Sequence, residues 1–236
     1  MKNVLIACEE SQRVCLAFRR RGFNAFSCDI LPCSGGAPEY HIQHDVLSII
    51  YGNGYFFTQD YILHKVDKWD LIIAHPPCTY LTNTGNRWFD VNRYGNKALE
   101  RHKKRVEAIL FFMNIANFDK CDKIAIENPI GIISTKYKKP TQIIHPYHFG
   151  DPERKATCLW LKNLPCLQPT NVVQPNIIKY KNGRGTDSPW HMETMKLKPK
   201  ERSIERSKTF PGIAEAMAEQ WGNFLLKEVL QNDCAP

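Results

Sequence analysis

The sequence predicts a doubly wound α/β fold on a mostly parallel sheet with an antiparallel edge strand. Three observations predict it. Leu71-Ile72-Ile73-Ala74 is an apolar run without period-2 alternation, as expected for a strand covered on both faces. It runs through His75 into Pro76-Pro77, whose fixed φ and missing amide hydrogens make a stiff extended exit that holds Cys78 just past the strand's carboxyl end. Residues 122–126 read as a second buried strand and deliver Glu127-Asn128-Pro129 to the same edge, the edge at which open α/β sheets bind ligands. Residues 3–29, finally, read as a strand, helix and strand closed by an acidic residue, the nucleotide-binding half of such a fold.

Taken in order, residues 3–7 form the first strand. Ser11 is the expected N-cap of a helix over 12–21 that stops at Gly22, and 24–28 is the second strand. Pro32, Gly35, Gly36 and Pro38 make 31–41 a loop. Residues 44–47 close a short third strand, or Asp45 caps the next helix; both readings stand. After Cys78, residues 79–96 carry Gly85, Asn86, Trp88, Phe89 and Tyr94 and read as a mobile substrate loop. Residues 97–118 have helical period, with Ala98, Val106, Ile109, Leu110, Met113 and Ala116 expected to face the core. Two further strands are expected over 141–148 and 156–161, supplying the antiparallel edge. Residues 168–200, rich in Pro, Asn, Gly and Lys and including Gly183-Arg184-Gly185 and Trp190, read as an arm or as disordered chain. From Pro211 a helix returns, with Ile213, Ala214, Met217, Ala218, Trp221, Phe224 and Leu225 in one apolar stripe.

At 236 residues the chain is long enough for one well-buried α/β domain and too short for two large ones. The expected division is a single domain over 1–236, with a small arm at 168–206 and a closing helix at 207–231. The net charge of +8, gathered at residues 19–21, 101–105, 136–139 and 196–206, favours a polyanionic partner over a merely solvated face. Nine scattered cysteines, an odd number with no Cys-x-x-Cys pair and no secretory leader, suggest free thiols in a cytoplasmic setting. Their spacings match no standard zinc module, so no metal is expected. No apolar run approaches the ~20 residues needed to cross a membrane, and no internal repeat is present.

Pro76-Pro77-Cys78 and Glu127-Asn128-Pro129, with Val4 to Ser11 and Phe26-Ser27-Cys28-Asp29, resemble the diagnostic blocks of the S-adenosylmethionine-dependent DNA cytosine carbon-5 methyltransferases, in particular small phage and bacterial DNA methylases. The resemblance covers about residues 3–160, and less closely 207–224. It implies a class I methyltransferase sheet and a thiolate of Cys78 that adds to carbon 6 of the base. It also implies that Glu127, its pKa raised by burial, acts on the ring nitrogen, with Arg154 on the base carbonyl. Cofactor contacts are implied for Ala7, Cys8, Glu9, Asp29, Ile30, Asp45 and Pro76. Substrate contacts are implied for Pro77, Thr79, Asn128 and Lys155. Cys78 requires a lowered pKa, because the thiolate is the reactive form.

Asp29 is suited to a ribose hydroxyl pair, and the missing G-x-G-x-x-G argues for S-adenosylmethionine over a pyrophosphate cofactor. The chain departs from the family in four ways. Its first loop, Ala7-Cys8-Glu9-Glu10, holds no glycine; Thr79 stands where a glutamine usually follows the cysteine; the family's arginine block has only a loose counterpart in Asp151-Pro152-Glu153-Arg154-Lys155; and residues 157–207 leave little room for a target-recognition domain. The implied partner is therefore DNA, with RNA or a free pyrimidine nucleotide open. Rival readings are an exocyclic amino methyltransferase, which normally carries Asn, Asp or Ser before the prolines, and a catalytically silent nucleic-acid-binding protein. Taken singly, Cys78 reads as a small buried hydrophobe and Glu127 as a strand end; their convergence favours chemistry.

Overall fold

The structure, a computed structural model, describes residues 1–180 and 185–232. Gly183-Arg184 of the expected arm lies outside the described residues. A seven-stranded sheet forms the centre. Its strands are β1 (Asn3–Ala7), β2 (Asn24–Asp29) and β3 (His41–Gln43), then β6 (Leu71–Ala74), β7 (Ile124–Pro129), β8 (Gln142–Ile144) and β9 (Thr157–Lys162). The order is β3-β2-β1-β6-β7-β9-β8. All neighbours are parallel except at β9, which runs antiparallel to both β7 and β8. The predicted doubly wound, mostly parallel sheet is present, and its antiparallel strand lies one position in from the edge.

Apolar runs lack alternation here because both faces are covered. Val4, Ile6, Leu71, Ile73, Ala125 and Leu159 point into one core. They meet Val14 and Phe18 of α1 (Arg13–Arg20) and the C-terminal stripe Ile213, Met217, Trp221 and Leu225. Leu5, Ala7, Ile72, Ala74, Ile124 and Ile126 point the other way, against Phe112 and Ile115 of α4 (Asn96–Ala116). Each of these large side chains contributes about 1.5–3 kcal/mol when fully buried.

The C-terminal stripe lies on α8 (Pro211–Ala216), a π-helical turn at Met217–Trp221 and α9 (Gly222–Asn232). A Cβ on Gly222 would sit 2.8 Å from the Phe23 ring, so glycine is what lets the helix approach this closely.

Several local expectations are corrected. The N-cap of α1 is Gln12, at φ 58, and Ser11 makes no cap bond. The Glu9 carboxylate caps the helix instead, accepting from the amides of Val14 at 2.7 Å and Cys15 at 3.1 Å. The third strand is His41–Gln43, ahead of the expected 44–47. Asp45 takes its other reading and caps α2 (Val46–Ile50) through the Ser48 amide at 2.8 Å. A hairpin of β4 (Tyr55–Phe57) and β5 (Leu63–Lys65) had no sequence signal beyond its aromatic content. Phe56 anchors it against Phe26 and Trp69.

Residues 79–96 are not an irregular loop. They hold a 3₁₀ segment, Asn83–Phe89, and α3 (Val91–Tyr94). Arg105 pins the segment by donating to the Tyr80 carbonyl and to Asn86 Oδ1, and it covers the Phe89 ring. On α4, Ala98 is buried as expected, whereas Val106 and Leu110 are 56% and 54% exposed. The helix is rotated so that Phe112 and Ile115 face the sheet.

The expected strand over 141–148 is shorter, Gln142–Ile144, and is followed by a 3₁₀ turn. α5 (Ile133–Lys136) precedes it. Residues 168–207 include β10 (Ile178–Lys179), β11 (Thr186–Asp187), α6 (Pro189–Met195) and α7 (Pro199–Ser207). The start of this stretch is tied to the body by reciprocal bonds between Gln168 and Gln220.

Candidate active site

Strand register builds the site. Cys28, Ala7, Ala74 and Ile126 form one row across β2, β1, β6 and β7. The next residue of each strand is therefore Asp29, Cys8, His75 and Glu127, a second row at the sheet's carboxyl edge. The ladder continues into it, with the Cys8 amide donating to the Cys28 carbonyl at 2.7 Å and the His75 amide to the Ala7 carbonyl at 2.9 Å. Cys78 follows three residues after His75, past the two prolines.

At one end of this row, His75 Nδ1 and Glu127 Oε2 are 3.1 Å apart. Glu127 is only 9% exposed. Three buried atoms beside this pair, His75 Nε2, Glu127 Oε1 and Asn128 Oδ1, have no hydrogen-bond partner among the described residues. Unsatisfied buried polar atoms are costly and mark sites built for something else to bind. Asn128 Nδ2 donates to the Pro76 carbonyl at 2.7 Å and so ties the Glu-Asn-Pro segment to the Pro-Pro-Cys segment.

Electrostatics correct two expectations. Burial pushes the Glu127 carboxyl up, but the hydrogen bond from His75 and the charges of Lys155 and His75 outweigh it, so its pKa lies below the ordinary value. The Cys78 thiol is pushed above its ordinary value, first by burial and then by the Glu127 charge, with Lys155 opposing. The expected raised carboxyl and lowered thiol are thus reversed: burial, joined by the Glu127 charge, holds the thiol up, and His75 and Lys155 hold the carboxyl down.

Lys155 is the cation that acts on both groups, and its Nζ also donates to the Arg206 carbonyl at 2.9 Å. Arg154, the cation implied for the base, is exposed, and its Nη1 donates to Thr186 Oγ1 at 3.3 Å.

At the other end of the row a cavity of about 540 Å³ is lined by Cys8, Asp29, Ile30, Asp45, Pro77 and Thr79, all expected site residues. Val46, Tyr80, Lys104, Glu107, Ala108 and Phe111 complete it. Ala7, Glu9 and Pro76 do not line it: Ala7 belongs to the core, and the Glu9 carboxylate is spent on α1. The sequence reading missed the wall supplied by α4, although Lys104, Glu107, Ala108 and Phe111 stand at the i, i+3, i+4, i+7 spacing of one helix face. It also gave His75 no role.

The glycine-free first loop finds its account in the backbone. Cys8 adopts φ 60, the left-handed region in which glycine ordinarily sits. Asp29 Oδ1 accepts from the Leu31 amide at 2.9 Å. Burial raises the Asp29 carboxyl above its ordinary value despite that bond.

Gly131 couples the two loops. An added Cβ would lie 2.0 Å from the Leu81 carbonyl oxygen, which itself accepts from the Ile132 amide at 2.8 Å. Leu81 in turn donates to the Cys78 carbonyl at 2.9 Å. Gly131→Ala is therefore expected to destabilise the fold by about 1–3 kcal/mol, the usual cost of overpacking. It should also displace the Cys78 segment. A urea unfolding midpoint equal to that of the wild type would contradict this.

Fold and site together define a doubly wound α/β protein with a thiol and a paired carboxylate at the carboxyl edge of its sheet, beside a ligand-sized cavity. No protein-family model and no curated protein matches the chain. Solved structures resemble it at low identity. A protein assigned as a DNA modification methyltransferase encoded within an E. coli prophage gives a TM-score of 0.42 at 14% identity, over 74% of this chain and 52% of that one. A mutant form of Spodoptera frugiperda DNMT2 gives 0.40 at 15% identity, over 76% of this chain and 59% of that one. The chain thus spans little more than half the length of either.

Proposed function

We propose that this protein transfers a methyl group from S-adenosylmethionine to carbon 5 of cytosine in DNA through a covalent adduct of Cys78. The observation that carries the reading is the row at the sheet edge: a thiol and a histidine-paired carboxylate at one end, an acidic cavity wall at the other. Carbon 5 of cytosine is a weak nucleophile, so the chemistry needs both a sulfur to add at carbon 6 and a proton source for the ring nitrogen.

The cavity fits the cofactor by the chemistry of its donor set. Asp29 supplies acceptors for ribose hydroxyls, and Ile30, Val46, Ala108 and Phe111 offer apolar walls for adenine. Asp45, although it caps α2, also lines the cavity and would meet the adenine edge. When bound, S-adenosylmethionine supplies an electrophilic methyl group. Asp29→Ala is expected to weaken S-adenosylhomocysteine binding about 10-fold or more in calorimetric titration, since hydrogen bonds to charged groups contribute roughly 1.5–3 kcal/mol each. Undiminished binding would remove Asp29 from the cofactor site.

In the reaction, Cys78 Sγ forms a bond to carbon 6 and the displaced ring electrons move toward the ring nitrogen. Glu127 gives that nitrogen its proton from the otherwise unpartnered Oε1, protonated as the base binds, while Oε2 keeps its hydrogen bond with His75 Nδ1. Carbon 5, made electron-rich by that addition, would take the methyl group that bound S-adenosylmethionine supplies. Solvent then takes the carbon 5 proton, and the electrons of that C–H bond re-form the ring double bond as the carbon–sulfur bond breaks and returns the thiolate. The ring nitrogen gives its proton back to Glu127. Asn128 holds the two loops in register, and Pro77 and Thr79 border the route from cavity to sulfur. Lys155 balances the charge of thiolate and carboxylate, and Arg154 remains the proposed contact to the base carbonyl. On duplex DNA the base must leave the stack to reach this edge. Residues 168–206 are proposed as a substrate-recognition arm, with the Lys155–Arg206 bond linking α7 to the site. The test is covalent capture of an oligonucleotide bearing 5-fluorocytosine, argued below.

A further inference from the structure

We infer that the groove lined by Tyr80, Trp88, Tyr94, Lys97, Arg101 and Lys104 holds an unpaired stretch of nucleic-acid strand, its bases stacked on the rings and its phosphates on the cations. The groove is a separate space of about 600 Å³ next to the cavity, and Tyr80 and Lys104 line both. A strand in it would therefore run toward the sheet edge that carries Cys78. The inference deepens the proposed function by naming the form of the substrate.

Three observations carry it. Trp88 is 41% exposed for so large a side chain, and its ring lies 5.1 Å from that of Tyr94 at a tilt of 44°. Exposed, clustered rings of this kind serve as stacking platforms, because every base has a π face. Next, cations sit against each ring: Arg87 over Trp88 at 4.8 Å, Arg93 over Tyr94 at 5.4 Å and Arg101 over Tyr80 at 5.0 Å.

The third observation is that this positive charge is uncompensated. Among the described residues, Arg87, Arg93, Lys97, Arg101 and Lys104 make no ion pair, and the buried Arg101 Nε has no hydrogen-bond partner. Glu100 also lines the groove but is occupied by Lys103 at 3.1 Å, and Glu107 lies on the cavity side. Next to the groove, burial and then the neighbouring Arg101 charge lower the Arg105 pKa. Rings alone would suit many apolar partners, and cations alone any polyanion. Rings interleaved with unpaired cations suit a strand whose base faces are free; in a duplex those faces are stacked on one another.

Fluorescence anisotropy with short labelled probes tests this: an unpaired DNA strand, its RNA counterpart, the duplex, and an abasic strand with the same phosphates. At least one of the two unpaired strands should bind more tightly than the duplex and the abasic strand, and the preferred sugar identifies the occupant. Trp88→Ala and Tyr94→Ala should each weaken that binding about 5- to 100-fold while leaving abasic binding unchanged. Lys97→Ala combined with Lys104→Ala should reduce the salt slope by about two. Equal binding of strand, duplex and abasic probe overturns the inference, as does unchanged binding by both aromatic variants with wild-type melting temperatures. This experiment reads binding and not methylation, so failure of the 5-fluorocytosine capture alone refutes the proposed reaction and leaves the groove standing, and failure of strand binding alone removes the groove and leaves the reaction standing.

Discussion

Cys78→Ser is expected to abolish covalent capture of a 5-fluorocytosine oligonucleotide while S-adenosylhomocysteine binding stays at the wild-type level. Fluorine at carbon 5 is not released as a proton is, so once sulfur has added to carbon 6 and methyl transfer has occurred the adduct has no route to eliminate. A serine hydroxyl is a far weaker nucleophile than a thiolate. The side chain sits beyond Pro76-Pro77 and outside both cores, so the substitution leaves the sheet and the Asp29 cavity intact. Capture is read on denaturing gels and confirmed by mass spectrometry of the adduct peptide. A Cys78→Ser protein that still methylates cytosine at the wild-type rate would rule out carbon-5 addition chemistry and turn the reading toward an exocyclic amino group.

How much of this was legible in the sequence follows from the range of each interaction. The central strands were readable because Leu71–Ala74 and residues 124–126 are apolar on both faces, and the doubled cores of the structure explain that pattern. The cavity residues Asp29 and Asp45 were readable from their places after strands or before helices. What escaped depended on contacts between distant segments. Nothing local marks Glu9 as the cap of α1, or His75 as the partner of a carboxylate 52 positions away.

The same holds for the charges. Burial of Glu127 was foreseen, yet the sign of its shift depends on His75 and Lys155, and only the fold brings those near. The aromatic segment after Cys78 read as a loop because its 3₁₀ and helical turns are held from outside, by Arg105 one segment later. The departure at the first loop was visible, but the solution, a cysteine at φ 60, is a backbone property with no signature in residue type.

Glu127→Gln should produce two effects of opposite sign at once. Methyl transfer should fall about 10²- to 10⁴-fold, the usual contribution of a positioned proton donor. Glutamine keeps an oxygen for His75 but cannot take up a proton and pass it to the ring nitrogen. Alkylation of Cys78 by iodoacetamide should become faster. The Glu127 charge is one of the two causes that push the thiol up, after burial; removing it while Lys155 remains lowers the thiol pKa and raises the thiolate fraction at any pH below it.

The sign of the pH dependence follows as well. A carboxyl held below its ordinary value of 4.5 stabilises the fold above that pH, and the contribution is lost as pH falls through the lower folded value. The stability gap between wild type and Glu127→Gln, measured by urea unfolding, should therefore be widest near neutrality and close on acidification below about pH 4. A variant that loses turnover but shows unchanged alkylation and a pH-independent gap would mean that Glu127 and Cys78 do not share a site, and the proposed mechanism would fall with it.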